Sequence, residues 1–270
     1  MGLIVNNYQF LNVKKESKVL TLTINRPDQM NAINTDLNHE LEDAINHFSA
    51  DDDLWVAVLK GSGSKAFSAG GDIKAMSEAA NGGKPYIVPK TGYGGLTNRH
   101  DLNKPIIAAV NGLAMGGGFE IALACDLIIA ADHATFALPE PLIGVVAYAG
   151  GMHRLSRQIG TKRAMQLLLC CQTIDAKTAL DWGIVNQVVP LEKLDETVDA
   201  VVQSILRSAP LAIQATKACI NKGSNYSLEE ALAMQDTEGY PELEKMRGSQ
   251  DILEGIKAFT EKRKPQWQAK

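Results

Sequence analysis

The chain has 270 residues, of which 45% are hydrophobic and 21% charged, and its formal net charge is −4. This length allows a sizeable core in one large domain, or in a domain with an appendage. No long basic run is present, which argues against nucleic acid or an anionic membrane surface as a partner. The longest apolar runs are too short to span a bilayer.

The N-terminus and the cysteines indicate the cellular compartment of the protein. The first seven residues have neither a basic segment nor a continuous apolar run, so no secretory signal is expected. The cysteines show no C-x-x-C spacing and lie among apolar residues, which is typical of reduced thiols; they are Cys125, Cys170, Cys171 and Cys219. The five histidines do not cluster at metal-ligand spacing. We therefore expect a cytoplasmic protein that needs no metal.

Short apolar runs alternate with helical patterns through most of the chain. Strands are predicted at 18–24, 54–59, 105–110, 127–131, 134–138 and 184–189, and helices from 34 or 35, at 119–125, 194–207, 211–221, 228–239 and 252–264. Residues 77–99 show no periodicity and predict a long mobile loop, which in a compact domain is usually functional. The alternation through residue 190 indicates an α/β fold with largely parallel strands. The mostly helical residues 191–270 indicate a helical appendage.

Two glycine-rich segments follow predicted buried strands. Gly70-Gly71 comes after the strand at 54–59, and Gly116-Gly117-Gly118 comes after the strand at 105–110. Glycine lets bare backbone approach a ligand, and a helix N-terminus adds aligned N–H donors. If the segments face each other, they form a two-donor oxyanion hole for a carbonyl that gains negative charge. Taken singly, each segment also fits a tight turn after a strand.

Two glutamates follow the glycine-rich segments, and they lie twenty positions apart. Glu120 falls in the first turn of the helix at 119–125, where the helix dipole favours a carboxylate in any case. Glu140 follows Pro139 among apolar residues, as expected either of a surface residue at a bend or of a buried acid with a raised pKa. The functional interpretation makes the two glutamates an acid and base pair.

Five short motifs resemble signatures of the enoyl-CoA hydratase/isomerase (crotonase) superfamily. They lie at 26–33 (RPDQMNAI), 66–74 (AFSAGGDIK), 104–120 (beginning KPIIAAVNG and ending GGGFE), 150–155 (GGMHRL) and 259–263 (FTEKR). The resemblance runs through nearly the whole chain. It implies an α/β crotonase-like spiral of ββα units with the CoA-thioester site in residues 1–190, and a helical C-terminal trimerisation region in residues 191–270. The expected assembly is a homotrimer or a dimer of trimers.

The same resemblance implies roles for single residues. The backbone N–H groups of Gly71 and Gly117 would form the oxyanion hole, and Glu120 and Glu140 would be the catalytic carboxyl groups. The residues that would bind CoA are Met30, Ala32, Ala66, Ala69, Gly71, Asp72, Ile73, Phe259 and Lys262. The implied reaction is reversible syn addition of water to a trans-2-enoyl-CoA, giving a 3-hydroxyacyl-CoA, as in fatty acid metabolism. No cofactor is implied, since coenzyme A is part of the substrate.

One segment departs from the family pattern. After Glu140 the hydratases typically read Gly-x-Ile-Pro-Gly-x-Gly-Gly, whereas this chain has Ala147 and Tyr148 in place of the proline and the following glycine. Tyr148 is therefore expected in the substrate pocket. Residues 103–105 and 136–140 also resemble carnitinyl-CoA dehydratases. The alternatives are a carnitinyl-CoA (crotonobetainyl-CoA) dehydratase, an enoyl-CoA isomerase and a degenerate CoA-thioester-binding protein without activity.

Overall fold

The computed structural model describes residues 8–270. The prediction about a secretory signal concerns residues 1–7, which lie outside the described residues. In the described part of the chain, no helix is both long enough and apolar enough to cross a bilayer.

Strands and helices alternate along most of the described chain. The strands are β1 (Leu11–Glu16), β2 (Val19–Ile24), β3 (Val56–Gly61), β4 (Ala66–Ser68), β5 (Ile106–Val110), β6 (Leu113–Met115), β7 (Leu127–Ala131), β8 (Thr135–Ala137), β9 (Ile174–Asp175) and β10 (Gln187–Val189). The α-helices are α1 (Thr35–Ala50), α2 (Ile73–Ala80), α3 (Gly117–Ala124), α4 (Gly151–Ile159), α5 (Thr161–Cys170), α6 (Ala176–Asp181), α7 (Leu194–Leu206), α8 (Pro210–Gly223), α9 (Leu228–Ala233), α10 (Pro241–Arg247) and α11 (Gln250–Thr260). Short 3₁₀ helices lie at Pro27–Gln29, Tyr93–Gly95, Glu140–Ile143, Leu191–Lys193 and Met234–Asp236.

The strands form two sheets that the chain visits in turn. The larger sheet has the order β1-β2-β3-β5-β7-β10, and the smaller has the order β4-β6-β8-β9. Only the β1–β2 and β8–β9 pairs are antiparallel among the pairs described. Two strands and then a helix recur as β3-β4-α2, β5-β6-α3 and β7-β8-α4, with the first strand always in the larger sheet. The prediction of an α/β spiral of ββα units is confirmed.

The central strands of the larger sheet, β3, β5 and β7, are buried on both faces. In β5, Ile106, Ala108 and Val110 belong to the main core, while Ile107 and Ala109 belong to a second core. Helix α7 contributes an apolar stripe to that second core, formed by Leu194, Val198 and Val202. Burial on both faces explains why these strands read as continuous apolar runs. The predicted domain division at residue 190 stays a prediction.

The structure corrects the predicted long loop at 77–99. Helix α2 begins at Ile73 and extends to Ala80. The Asp72 carboxylate accepts a hydrogen bond from the Ala75 N–H at 3.1 Å and so caps its first turn. The short turn at Tyr93–Gly95 contains Gly94 in a left-handed conformation, so it is not a regular helix. The prediction of a loop is therefore wrong only at the start of this segment.

The predicted helices also differ in the last third of the chain. The helix expected at 228–239 ends at Ala233, and α10 begins separately at Pro241, which suits the first position of a helix. Helices α4 and α5 were not predicted. Their buried residues recur at helical spacing, which was a usable signal in the sequence: Leu155, Ile159, Ala164 and Leu167.

Candidate active site

The two glycine-rich segments lie against each other at the ends of β4 and β6. These strands pair in parallel, so their carboxyl ends reach the same edge of the smaller sheet. A Cβ atom on Gly70 would lie 2.6 Å from the Met115 carbonyl oxygen and 2.9 Å from the Gly117 nitrogen. A Cβ atom on Gly118 would collide with the Ser68 carbonyl. Both positions therefore require glycine because backbone meets backbone.

The two predicted oxyanion donors have free N–H groups. Ile33 and Gly71 are paired in an isolated parallel β-bridge. The Ile33 N–H donates to the Gly70 carbonyl at 2.7 Å, and the Ile33 carbonyl accepts from the Asp72 N–H at 2.9 Å. The bridge therefore does not use the N–H of Gly71. Gly117 is the first residue of α3, where an N–H has no acceptor within the helix. Within residues 8–270, neither N–H group donates a hydrogen bond.

Glu120 is a buried carboxyl group beside these donors. Its side chain lies in the first turn of α3, and the residue is 3% exposed. Burial raises the pKa of Glu120 to about 7, and the charge of Glu140 contributes to the rise. The Gly151 N–H, which donates to its Oε1 at 2.8 Å, offsets part of this pKa shift. A carboxyl group that titrates near neutral pH is suited to proton transfer.

Glu140 occupies the other side of the glycine-rich segments. Its Oε1 lies 3.0 Å from the position that a Cβ on Gly116 would take. Its Oε2 is buried and has no hydrogen-bond partner among residues 8–270. Burial raises the pKa of Glu140. An unpaired carboxylate oxygen is costly to bury, which is the physical cause of this rise.

The predicted CoA-binding residues fall into two groups. Residues 30–33 and 66–73 lie together, since the Ala69 N–H donates to the Met30 carbonyl at 2.9 Å and Ile33 forms the bridge to Gly71. This group contains Met30, Ala32, Ala66, Ala69, Gly71, Asp72 and Ile73. Phe259 is 86% exposed near the end of α11. No hydrogen bond within the described chain links Phe259 or Lys262 to the first group.

The enoyl-CoA hydratase/isomerase family model matches residues 14–270. The chain belongs to the enoyl-CoA hydratase/isomerase family. The resemblance seen in the sequence motifs is thereby confirmed.

Similarity to individual members of the enoyl-CoA hydratase/isomerase family covers nearly the whole of both chains. A carnitinyl-CoA dehydratase of Proteus mirabilis (strain HI4320) is 38% identical over 97% of this chain and 99% of its own. The crystal structure of an enoyl-CoA hydratase from Mycobacterium tuberculosis H37Rv has a TM-score of 0.88 and 35% identity, over 97% of this chain and 99% of that one. The crystal structure of an enoyl-CoA hydratase from Bacillus anthracis has a TM-score of 0.87 and 31% identity, over 97% of this chain and 100% of that one.

Of the two residues that depart from the hydratase pattern, Ala147 is buried near the site and Tyr148 lies at the surface. Ala147 is 1% exposed and lies 3.2 Å from the Cβ position of Gly151, the residue that hydrogen-bonds Glu120. Tyr148 is 78% exposed in the single chain. Ala147 therefore lies beside the candidate site, and the pocket role of Tyr148 stays a prediction.

The site contains a residue that the sequence prediction did not name. The ring of Tyr93 contacts the Cβ position of Gly117, and its hydroxyl lies 3.0 Å from the Cβ position of Gly71. The available signal was the run Thr91-Gly92-Tyr93-Gly94-Gly95, in which glycines with positive φ surround one aromatic residue. The same run lies within the segment predicted to be a functional loop.

Replacing Glu120 by Gln should stabilise the fold at neutral and alkaline pH. The pKa of Glu120 in the folded protein is about 7, above the ordinary 4.5. The native protein therefore loses free energy of unfolding as the pH rises from 4.5 to 7. Gln stays neutral and keeps an acceptor for the Gly151 N–H. The variant should gain about 2–4 kcal/mol in free energy of unfolding near pH 8, and almost nothing near pH 4. Urea denaturation at both pH values measures this, and an equal gain at both would contradict the assigned pKa.

Proposed function

We propose that the protein is an acyl-CoA hydro-lyase that adds water reversibly to a trans-2-enoyl-CoA, giving a 3-hydroxyacyl-CoA. The observation that carries the proposal is that the buried Glu120 carboxyl group and the partly buried Glu140 carboxyl group lie around the glycine-rich segments, where the N–H groups of Gly71 and Gly117 donate no hydrogen bond within residues 8–270. Moving a double bond requires only one carboxyl group as a proton shuttle. Hydration uses both, one to activate water and one to protonate carbon.

In the proposed reaction, the N–H groups of Gly71 and Gly117 hold the thioester oxygen and stabilise the enolate that forms. Polarisation of the carbonyl makes C3 electrophilic. The ionised Glu120 takes one proton from the water that attacks C3, and the protonated Glu140 gives its proton to C2. The second hydrogen of the water remains in the 3-hydroxyl group. No cofactor takes part, because coenzyme A enters as part of the substrate.

A second candidate function is dehydration of carnitinyl-CoA, which is the same chemistry on a different acyl chain. It is favoured by the relatives named carnitinyl-CoA dehydratase at 38% identity. Enoyl-thioester absorbance distinguishes the candidates when crotonyl-CoA and carnitinyl-CoA are supplied separately. Loss of absorbance from crotonyl-CoA supports the enoyl-CoA hydratase. A higher kcat/KM for carnitinyl-CoA than for crotonyl-CoA supports the carnitinyl-CoA dehydratase. Tight binding of both thioesters without turnover would identify a degenerate site and overturn both.

The proposal includes a homotrimer or a dimer of trimers. Helix α11 leaves three apolar side chains largely exposed in the single chain, namely Leu253, Ile256 and Phe259. A neighbouring subunit would cover such a surface, and Phe259 and Lys262 would then reach a CoA bound to that subunit. Light scattering should give a mass of three or six chains at micromolar protein, and a monomeric mass would contradict the assembly. A cytoplasmic location is also proposed, on the basis of the cysteine pattern.

A further inference from the structure

A buried serine holds the backbone just before Gly71. The Ser68 hydroxyl donates to the Asn31 carbonyl at 2.8 Å and accepts the Gly70 N–H at 3.1 Å. Ser68 and Asn31 are both fully buried. A hydroxyl has a single hydrogen and a carbonyl can only accept, so the direction of both hydrogen bonds is fixed. A chain of hydrogen bonds therefore links Asn31 through Ser68 to Gly70, the neighbour of the proposed oxyanion donor.

The direction of the Gly71 N–H is set by the Gly70 carbonyl. Both groups belong to one planar trans peptide unit, in which they point in opposite directions. The Gly70 carbonyl accepts from the Ile33 N–H at 2.7 Å, and the Gly70 N–H is held by Ser68. Gly70 has φ +84° and no Cβ to restrict it, so these two hydrogen bonds supply the restraint that its own side chain cannot.

The neighbouring hydrogen bonds leave only the Gly71 N–H for a ligand. Of the four consecutive N–H groups at 69–72, three donate to acceptors within the chain, namely those of Ala69, Gly70 and Asp72. Two of the acceptors are the carbonyls of Met30 and Ile33, at 2.9 Å each. The fourth N–H group, that of Gly71, donates no hydrogen bond within residues 8–270.

The turn that provides these acceptors has a strained backbone. Met30 and Asn31 have φ +52° and +54°, in the left-handed region that asparagine tolerates better than most residues. The Asn31 amide holds the turn in place, since its Nδ2 donates to the carbonyls of Ser62 and Ala66 at 3.0 and 2.8 Å. Its Oδ1 accepts the Arg26 N–H at 3.0 Å. Strain of this kind persists where surrounding contacts enforce it, and it clusters at functional sites.

We propose that Asn31 and Ser68 are positioning residues for the oxyanion hole. This inference rests on the proposed function, in which the Gly71 N–H holds the thioester oxygen. Asn31 fixes the strained turn and presents its carbonyl to Ser68, and the Ser68 hydroxyl then fixes Gly70. The donor is thereby aimed before the substrate binds, as stabilisation of a developing oxyanion requires.

Ser68→Ala tests the proposal because it removes the hydroxyl and keeps the Cβ. The ligand is butyryl-CoA, which has no double bond to hydrate, labelled with carbon-13 at the thioester carbonyl. Hydrogen bonds to a carbonyl oxygen polarise it and lower its infrared stretching frequency. The band of the bound ligand should lie below its position in water for the native protein, and should move back toward that position in Ser68→Ala. The kcat for crotonyl-CoA should fall about tenfold, less than for complete loss of a donor, and KM should change less than about twofold.

Asn31→Gly interrupts the same chain of hydrogen bonds at its other end. It removes the amide, whereas glycine accepts the left-handed backbone without strain. The carbonyl band should move in the same direction, so each variant tests the proposal by itself. Asn186→Ala is the matched control, because the exposed Asn186 also loses one hydrogen bond to backbone, from the Ile128 N–H at 2.8 Å. It should leave the band and kcat unchanged.

The carbonyl band separates failure of this inference from failure of the proposed function. A lowered native band that stays in place in Ser68→Ala and Asn31→Gly would make both residues structural only and overturn the inference. A native band at its position in water would overturn the oxyanion hole, and with it the proposed function. A native band that is lowered and moves in Ser68→Ala, in a protein that hydrates no enoyl-CoA, would uphold the positioning role and refute the proposed function instead.

Discussion

Glu140→Gln and Glu120→Gln are each expected to lower kcat by about 10²–10⁴-fold, the usual contribution of a positioned acid or base. Glutamine preserves the size of each side chain but can neither deliver the proton to C2 nor accept one from water. Because both groups act on one transition state, the double variant should lose much less than the product of the two single effects. Steady-state hydration of crotonyl-CoA measures all three variants.

The control for these variants is Glu229→Gln, at an exposed position of α9. It should retain full activity. The pH profile adds a second check, because the active state holds one proton across Glu120 and Glu140. Activity should fall at acid pH when both are protonated and at alkaline pH when both are ionised. If either single variant kept more than about a tenth of the native turnover, the acid and base assignment would be wrong.

Gly70→Ala should lower kcat by about 10²–10³-fold, the typical effect of losing one oxyanion donor. The backbone of Gly70 has φ +84°, and its added Cβ would meet the Met115 carbonyl and the Gly117 nitrogen. The two glycine-rich segments must then separate, which moves the N–H groups of Gly71 and Gly117 away from a common oxygen. The rate of crotonyl-CoA hydration measures the loss.

Gly183→Ala separates this geometric effect from simple backbone strain. Gly183 has φ +77°, close to that of Gly70, but no atom lies within 4 Å of its Cβ position. Both variants carry the strain of a left-handed residue, about 1 kcal/mol or more, which thermal unfolding would reveal. Only Gly70→Ala should lose catalysis. Equal activity in the two folded variants would mean that the spacing of the glycine-rich segments does not control the reaction.

The sequence predicts those parts of the site that depend on local order along the chain. Gly71 and Gly117 each follow a strand of the smaller sheet. These strands are parallel, so both glycines lie at the same edge of that sheet. Glu120 is predictable for the same reason, since it lies in the helix that Gly117 begins. Glu140 follows the third such strand pair. The spiral repeats one local arrangement, so short-range patterns were sufficient.

The contacts that complete the site depend on long-range packing. Tyr93 reaches Gly71 and Gly117 only after its turn bonds to Asn38, far away in the sequence. The pKa of Glu120 likewise depends on burial and on the Gly151 N–H, neither of which its neighbours in the chain specify. Ala147 is buried and Tyr148 is exposed, although the two are neighbours in the chain. Composition and periodicity carry no information about these tertiary contacts.

Turnover of a trans-2-enoyl-CoA in water enriched in oxygen-18 tests the central claim most directly. Mass spectrometry of the product distinguishes addition of water from movement of the double bond. The account predicts a 3-hydroxyacyl-CoA that carries the heavy oxygen at C3, formed by the native protein and nearly abolished in Glu140→Gln. A product of unchanged mass with a shifted double bond, or labelled product at the native rate from Glu140→Gln, would contradict it.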